Sequence, residues 1–209
     1  MKKVDISQWN RRTQYDFFKN YEHPFFTIST ELDVTKLYTL CKSRNYSFSL
    51  SCLFVAIKCA NQIREFRYRI DNEQVVEYDN IHIGSTILNK DETFSFCYFN
   101  YNESLELFLS EAQAAIERLH EQPKFESQDW RSDLIHCTTL PWISFTGFEH
   151  AWSGKEKAIG IPKIVFGKWN ESEGIKKVPF SISVHHALMD GIHVGKYIEK
   201  MEDLLQTIS

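Results

Sequence analysis

The chain has 209 residues, 43% of them hydrophobic and 14% aromatic, with a net charge of −4 and a pI near 6.1. That length and apolar content suffice for one large core, which predicts a single domain over 1–209. The mild acidity and the lack of any long Lys/Arg run exclude a nucleic-acid footprint, and no window approaches the roughly 18 apolar residues of a membrane span.

Met1 to Asp5 has no apolar stretch behind its lysines, so no signal peptide is expected. The five cysteines, Cys41, Cys52, Cys59, Cys97 and Cys137, are scattered and form no C-x-x-C. They read as reduced thiols filling the core of a cytoplasmic protein. Asp33 predicts the N-cap of a helix from Val34 to Arg44, with Leu37, Leu40 and Cys41 on one face. Ser49 or Ser51 opens a second helix, Leu53 to Asn61, which is apolar almost all round and therefore buried. Strands at Tyr68 to Ile70 and Gln74 to Tyr78 flank Asp71-Asn72-Glu73. A second pair, His82 to Leu88 and Thr93 to Phe99, flanks Asn89-Lys90-Asp91. Asn102 or Ser104 caps an amphipathic helix, Leu105 to Leu119, with Leu105, Phe108, Leu109, Ala112 and Ile116 inward. The polar stretch from Gln122 to Asp133 reads as loop. Strands return at Ile135 to Thr138, Trp142 to Phe148, Ile164 to Trp169 and Val178 to Val184, the last two flanking a turn at Glu171-Ser172-Glu173-Gly174. A final helix, Val194 to Leu205, turns Val194, Tyr197, Ile198, Met201, Leu204 and Leu205 inward. Strands clustered between helices predict an α/β fold, a two-layer sandwich with a large mixed β-sheet covered by helices.

The most chemical segment is His186-Ala187-Leu188-Met189-Asp190-Gly191, an H-x-x-x-D-G pattern at the end of a predicted strand. A strand end can hold an imidazole in a cleft, and neutral imidazole is the natural general base near pH 7. Asp190 and Gly191 suggest a tight turn behind it. His185 and His193 complete a histidine cluster, yet neighbouring strand residues face opposite ways, so no metal is expected.

Further segments follow in a fixed order: Trp9-Asn10-Arg11, the aromatics Phe17-Phe18, Glu92-Thr93-Phe94-Ser95, Pro141-Trp142-Ile143-Ser144-Phe145, and His185-His186 through His193-Val194. From Trp9 to about Leu205 this order resembles the trimeric chloramphenicol acetyltransferases. The resemblance implies a CoA-dependent acyltransferase-like homotrimer whose active sites lie between subunits. Acetyl-CoA enters one end of a tunnel as co-substrate, with no permanently bound cofactor, and the acceptor alcohol enters the other. His186 is implied as the catalytic base, deprotonating the acceptor hydroxyl so that it attacks the thioester directly, a step for which a positioned base gives about 10²–10⁴-fold. Asp190 is implied to pair with Arg11 and to support the loop rather than act in a triad. Phe17, Phe18, Phe25, Phe26, Phe94, Phe96 and Phe145 are implied for the acceptor pocket, and Trp169 for the CoA tunnel.

The sequence also departs from the family pattern. Family members place an oxyanion-stabilising serine where Gly147 stands and a water-holding threonine where Val165 stands. Loss of one such donor costs about 10²–10³ in rate. Phe96 replaces a small residue in the pocket, and Phe18 a frequent tyrosine. Three readings follow: an O-acetyltransferase acting on chloramphenicol or a similar aromatic acceptor, an acetyltransferase for another small hydroxyl or thiol, and a ligand-binding trimer with little turnover. A dihydrolipoamide acyltransferase shares H-x-x-x-D-G but comes with lipoyl and linker domains, which are not expected here. The leading reading implies a role in antibiotic resistance.

Overall fold

The structure is a computed structural model and describes residues 1–123, 125–128, 131–154 and 159–208. In chain order its elements are β1 (Lys2–Lys3), α1 (Arg12–Phe18), β2 (Phe25–Asp33), α2 (Thr35–Arg44), α3 (Phe48–Asn61), a 3-10 turn (Arg64–Arg67), β3 (Tyr68–Asp71), β4 (Gln74–Glu77), β5 (His82–Leu88), β6 (Phe94–Phe99), α4 (Leu105–Glu121), β7 (Leu134–Thr139), β8 (Lys163–Phe166), β9 (Asn170–Ser172), β10 (Ile175–His185) and α5 (Gly191–Thr207). The large sheet runs β2-β10-β8-β7-β5-β6, with β9 also pairing β10, and a small sheet runs β1-β4-β3. Pairings β5–β7 and β7–β8 are parallel, whereas β10 meets β2, β8 and β9 antiparallel and β5 meets β6 antiparallel. The sheet is therefore mixed, as composition and element order predict.

The period-two alternation of strands sorts the two faces. Ile83, Ile135, Cys137, Ile164, Phe166, Phe180, Ile182 and Val184 point into the main core with α3, α4 and α5. The intervening residues, among them Thr86, His136, Thr138, Lys163, Ser181, Ser183 and His185, form a polar second face. α3 is apolar on every side because it lies between the sheet, α4 and α5. Truncating one of its buried leucines, such as Leu53, would cost about 2–5 kcal/mol through lost contacts and the cavity left behind.

Several predicted boundaries move. α2 starts at Thr35 with Val34 as N-cap, and Asp33 instead accepts the Thr35 N–H at 2.9 Å. α3 begins earlier than expected, at Phe48. Ser47 is its cap, taking the Leu50 N–H at 3.4 Å, while Ser51 sits inside the helix and donates to the Ser47 carbonyl at 2.8 Å. α5 begins at Gly191, directly behind Asp190. Trp142 to Phe148 is not a strand. Both edges of β8 are already taken, by β7 and β10, so an aromatic alternation there has no ladder to join. The segment crosses the second face instead: the Lys168 N–H reaches the Ile143 carbonyl at 2.7 Å and Ser181 Oγ donates to the Phe148 carbonyl at 3.3 Å. The strand expected from Ile164 to Trp169 stops at Phe166. A side chain at Gly167 would stand 2.9 Å from the Ile143 carbonyl oxygen and from the Phe145 ring, so the crossing segment needs that glycine. Within the loop expected from Gln122 to Asp133, residues Lys124, Asp129 and Trp130 lie outside the described residues. β2 lies outside the predicted elements, although Phe26, Ile28 and Leu32 turn to the core and alternate with exposed Thr27, Ser29 and Glu31. The five cysteines are buried and free. No helix among the described residues is long and apolar enough to cross a membrane.

Candidate active site

β10 ends at His185, and the His186 N–H extends the pairing with the β2 side by donating to the Pro24 carbonyl at 2.7 Å. The chain then closes a turn in which the Leu188 and Met189 amides return to the His185 carbonyl at 3.0 and 3.1 Å. Ala187, Leu188 and Met189 are fully buried and anchor that turn, so the apolar residues of H-x-x-x-D-G are what hold its polar ones in place. Asp190 follows as the N-cap of α5.

Arg11, buried just before α1, closes the turn from the other end of the chain. Its Nη1 donates to Asp190 Oδ2, and its Nη2 to Asp190 Oδ1 at 3.1 Å and to the His186 carbonyl at 3.1 Å. The Arg11 hydrogen bonds hold the Asp190 carboxyl below the usual carboxylate range against the opposing effect of burial. The His186 ring stacks on Phe18 at 4.0 Å and 11° and meets Phe26 at 4.7 Å. Its Nδ1 lies 3.1 Å from Asp190 Oδ1, close enough for attraction but not aligned for a hydrogen bond. Nδ1 is buried while 35% of the side chain is exposed, so the open edge of the ring is the one that carries Nε2. Such an imidazole has a fixed plane and one nitrogen free to take a proton.

The remaining phenylalanines disperse. Phe17 is 61% exposed and meets Phe18 edge-on at 4.9 Å. Phe25 stacks on Trp152 at 3.8 Å and faces His185, not His186. Phe145 packs beside Gly167 and Phe148. Phe94 and Phe96 lie on β6 and line a cavity of about 490 Å³ on the second face of the sheet, together with Thr86, His136, Thr138 and Lys163. His186 is not among the described residues that line it.

Sequence reasoning missed the polar half of the cavity. Lys163 is buried, donates to the Ala151 carbonyl at 2.6 Å and lies 4.3 Å over the Trp152 ring. Thr86 and Thr138 share a hydroxyl–hydroxyl bond of 2.9 Å. A Cβ at Gly84 would stand 3.2 Å from the His136 ring and 3.4 Å from Tyr98, so that glycine makes room for both rings. The available signal was the alternation of β7 and β8, which sends His136 and Lys163 to the face opposite Ile135 and Ile164. Trp169 packs against Tyr38 at 4.9 Å and borders a second cavity of about 400 Å³, with Phe48, Ser49, Lys168 and Asn170. Val165 is fully buried, opposite Thr138 and Ser181, and Gly147 is exposed with open space around it. Among the described residues no group of three or more His, Cys, Asp or Glu side chains is arranged to hold a metal.

Comparison with known proteins decides what this arrangement belongs to. The family model for chloramphenicol acetyltransferase matches residues 1–202. The chain belongs to the chloramphenicol acetyltransferase family. It is 29% identical over 205 residues to a chloramphenicol acetyltransferase of Clostridium butyricum, covering 96% of this chain and 93% of that one. It is 26% identical over 200 residues to one from Proteus mirabilis, covering 95% and 92%. A solved chloramphenicol acetyltransferase superposes with a TM-score of 0.91 at 28% identity, covering 98% of this chain and 100% of the other. The truncated catalytic core of a 2-oxoacid dehydrogenase complex from Thermoplasma acidophilum superposes at 0.69 with 18% identity, covering 95% of each chain, a likeness of fold alone. Membership in this family makes the protein a transferase and acetyl transfer its chemistry.

Proposed function

We propose that this enzyme is an acetyl-CoA-dependent O-acetyltransferase that works as a cytoplasmic homotrimer and acetylates chloramphenicol or a similar aromatic alcohol. The observation that carries the reading is the position of His186: a ring locked by Phe18 and Phe26, tethered through Arg11 and Asp190, and open at its Nε2 edge. Nε2 takes the acceptor's hydroxyl proton as the oxygen attacks the thioester carbonyl. The tetrahedral intermediate then expels the CoA thiolate, which takes the proton back from the imidazolium. No acyl-enzyme is needed, and proximity within a closed site supplies much of the rate.

The separation of His186 from the Phe94–Phe96 cavity favours a shared site, in which one copy's imidazole faces its neighbour's cavity. Phe94, Phe96 and the polar wall would hold the acceptor, Phe17, Phe18, Phe25, Phe26 and Phe145 would shape its surroundings, and the cavity beside Trp169 would take acetyl-CoA. CoA release from acetyl-CoA and chloramphenicol, compared between wild type and His186→Ala, tests the reading. Equal rates end it.

A second reading keeps the chemistry and changes the acceptor. Gly147 and Val165 bring no hydroxyl to the oxyanion region, and Phe96 narrows the acceptor cavity. A screen of small alcohols and thiols with acetyl-CoA separates the two, and tight ligand binding without any turnover would leave only a binding trimer.

A further inference from the structure

His193 occupies the third position of α5, three residues after the N-cap Asp190. Glu or Gln there commonly reaches back to the backbone N–H of the cap residue. Here the imidazole does so: the Asp190 N–H donates to His193 Nδ1 at 2.8 Å. That bond fixes the tautomer, since an accepting Nδ1 leaves the proton on Nε2. Nε2 in turn lies 3.6 Å from Glu65 Oε1 in the 3-10 turn that packs beside α5. The backbone of Asp190 is thus held from one side by His193 and its carboxylate from the other by Arg11, which also holds the His186 carbonyl.

We propose that His193 is a positioning residue for His186: its neutral Nδ1 keeps Asp190 in place, and its protonation releases the turn. This rests on the acetyltransfer reading above. A proton on Nδ1 would set N–H against N–H and put positive charge at the positive end of the α5 dipole. The charged groups facing His193 are Glu65 from the 3-10 turn, Arg11 from the segment before α1, and Asp190, with His186 on the same turn. Glu65 and Asp190 favour the cation, while burial, the largest effect, and Arg11 oppose it. The result is a His193 held below the ordinary histidine value. The cap therefore survives mild acid and fails below it.

The test uses the full chain in three forms: wild type, His193→Gln and His193→Phe. Gln keeps an acceptor at the capping position without a titrating group, and Phe removes it. His193→Phe is expected to lower kcat about tenfold or more with little change in KM for acetyl-CoA, and His193→Gln to recover most of that loss. The acid limb of log kcat against pH is expected to be steeper in wild type than in His193→Gln, whose capping group does not titrate. Nitrogen NMR reads the cap without any turnover: an unprotonated Nδ1 at neutral pH, with exchange of the Asp190 amide rising as His193 titrates, supports the proposal even if His186→Ala shows that the acetyltransfer reading fails. A protonated Nδ1 at neutral pH, an Asp190 amide that ignores the titration, or equal acid slopes in wild type and His193→Gln overturns it.

Discussion

Arg11 and Asp190, separated by 179 positions in the chain, meet as a two-point ion pair directly beneath the His186 turn. Arg11 is nearly buried and Asp190 about one-third exposed, so the pair is neither a solvated surface bridge nor a fully desolvated one. Asp190→Asn leaves the guanidinium partly unpaired, which should cost about 1–3 kcal/mol of stability. With His186 as the proposed base, the larger effect should fall on kcat, because a misplaced imidazole loses about a hundredfold for a shift of about 1 Å. Arg11→Lys should behave similarly, since an ammonium cannot bond Asp190 through a fork and also reach the His186 carbonyl. Steady-state kinetics beside thermal melts check this: loss of stability with kcat intact would detach the pair from catalysis.

Phe96, in the cavity wall, packs against Phe94 at 5.6 Å and Phe125 at 5.0 Å. Phe96→Ala should widen the cavity and lower KM for chloramphenicol by about tenfold, the scale of a changed apolar contact. The reverse test is Gly84→Ala, whose Cβ must push the His136 ring from a 3.2 Å approach. It should raise KM for bulky acceptors and leave KM for acetyl-CoA alone. If neither substitution moves any acceptor KM, this cavity is not where acceptors bind.

α4 and α5 were legible because they repeat apolar residues at helical spacing, and of the two cap candidates Ser104 caps α4, whereas α1 was not anticipated. The hairpin at Asn72-Glu73 was legible from its turn residues, both of which take positive φ. The Trp142–Phe148 alternation misled because period alone does not say whether a partner strand has a free edge. At the site, H-x-x-x-D-G and the distant Arg11 were readable as motif and resemblance. The cavity was not: its wall combines residues of four strands, β5 to β8, with loop residues such as His150 and Ser153, and no local window records that Thr86, Phe96, Thr138 and Lys163 share a face. Nor did the sequence reveal that His193 caps α5, because its role lies in a backbone bond.

His82 supplies a pH dependence of stability. Its Nδ1 accepts the Tyr101 N–H at 3.0 Å, and burial lowers its pKa more than Asp133 raises it. The unfolded chain therefore binds a proton at this site before the folded one does. The stability from this site is full above the unfolded value of about 6.5 and is lost as pH falls from there through the lower folded value. Melting temperature should drop across that mildly acidic window, and His82→Asn, which does not titrate, should flatten this part of the curve. An unchanged slope in His82→Asn would assign the acid sensitivity to other groups.

The separation of His186 from the Phe94–Phe96 cavity makes a prediction about pairs of defective chains. In the proposed shared-site trimer, His186→Ala lacks the base but keeps the cavity, whereas Thr86→Trp fills the cavity but keeps the base, and each variant alone should be inactive. Co-expressed, the two chains assemble at random. Where a His186-bearing copy abuts a copy with an open cavity, one complete site forms. For equal amounts in a cyclic trimer, about a quarter of the interfaces have the right chain on each side, so mixed assemblies should regain about a quarter of wild-type activity. A site contained within one chain cannot be rebuilt this way, because neither chain holds both parts. Variants purified separately and mixed just before the assay, with size-exclusion of labelled chains checking that subunits have not exchanged, serve as the control and should stay inactive. Recovery in the co-expressed sample alone locates the site between subunits, and no recovery in either places the base and the acceptor in the same chain.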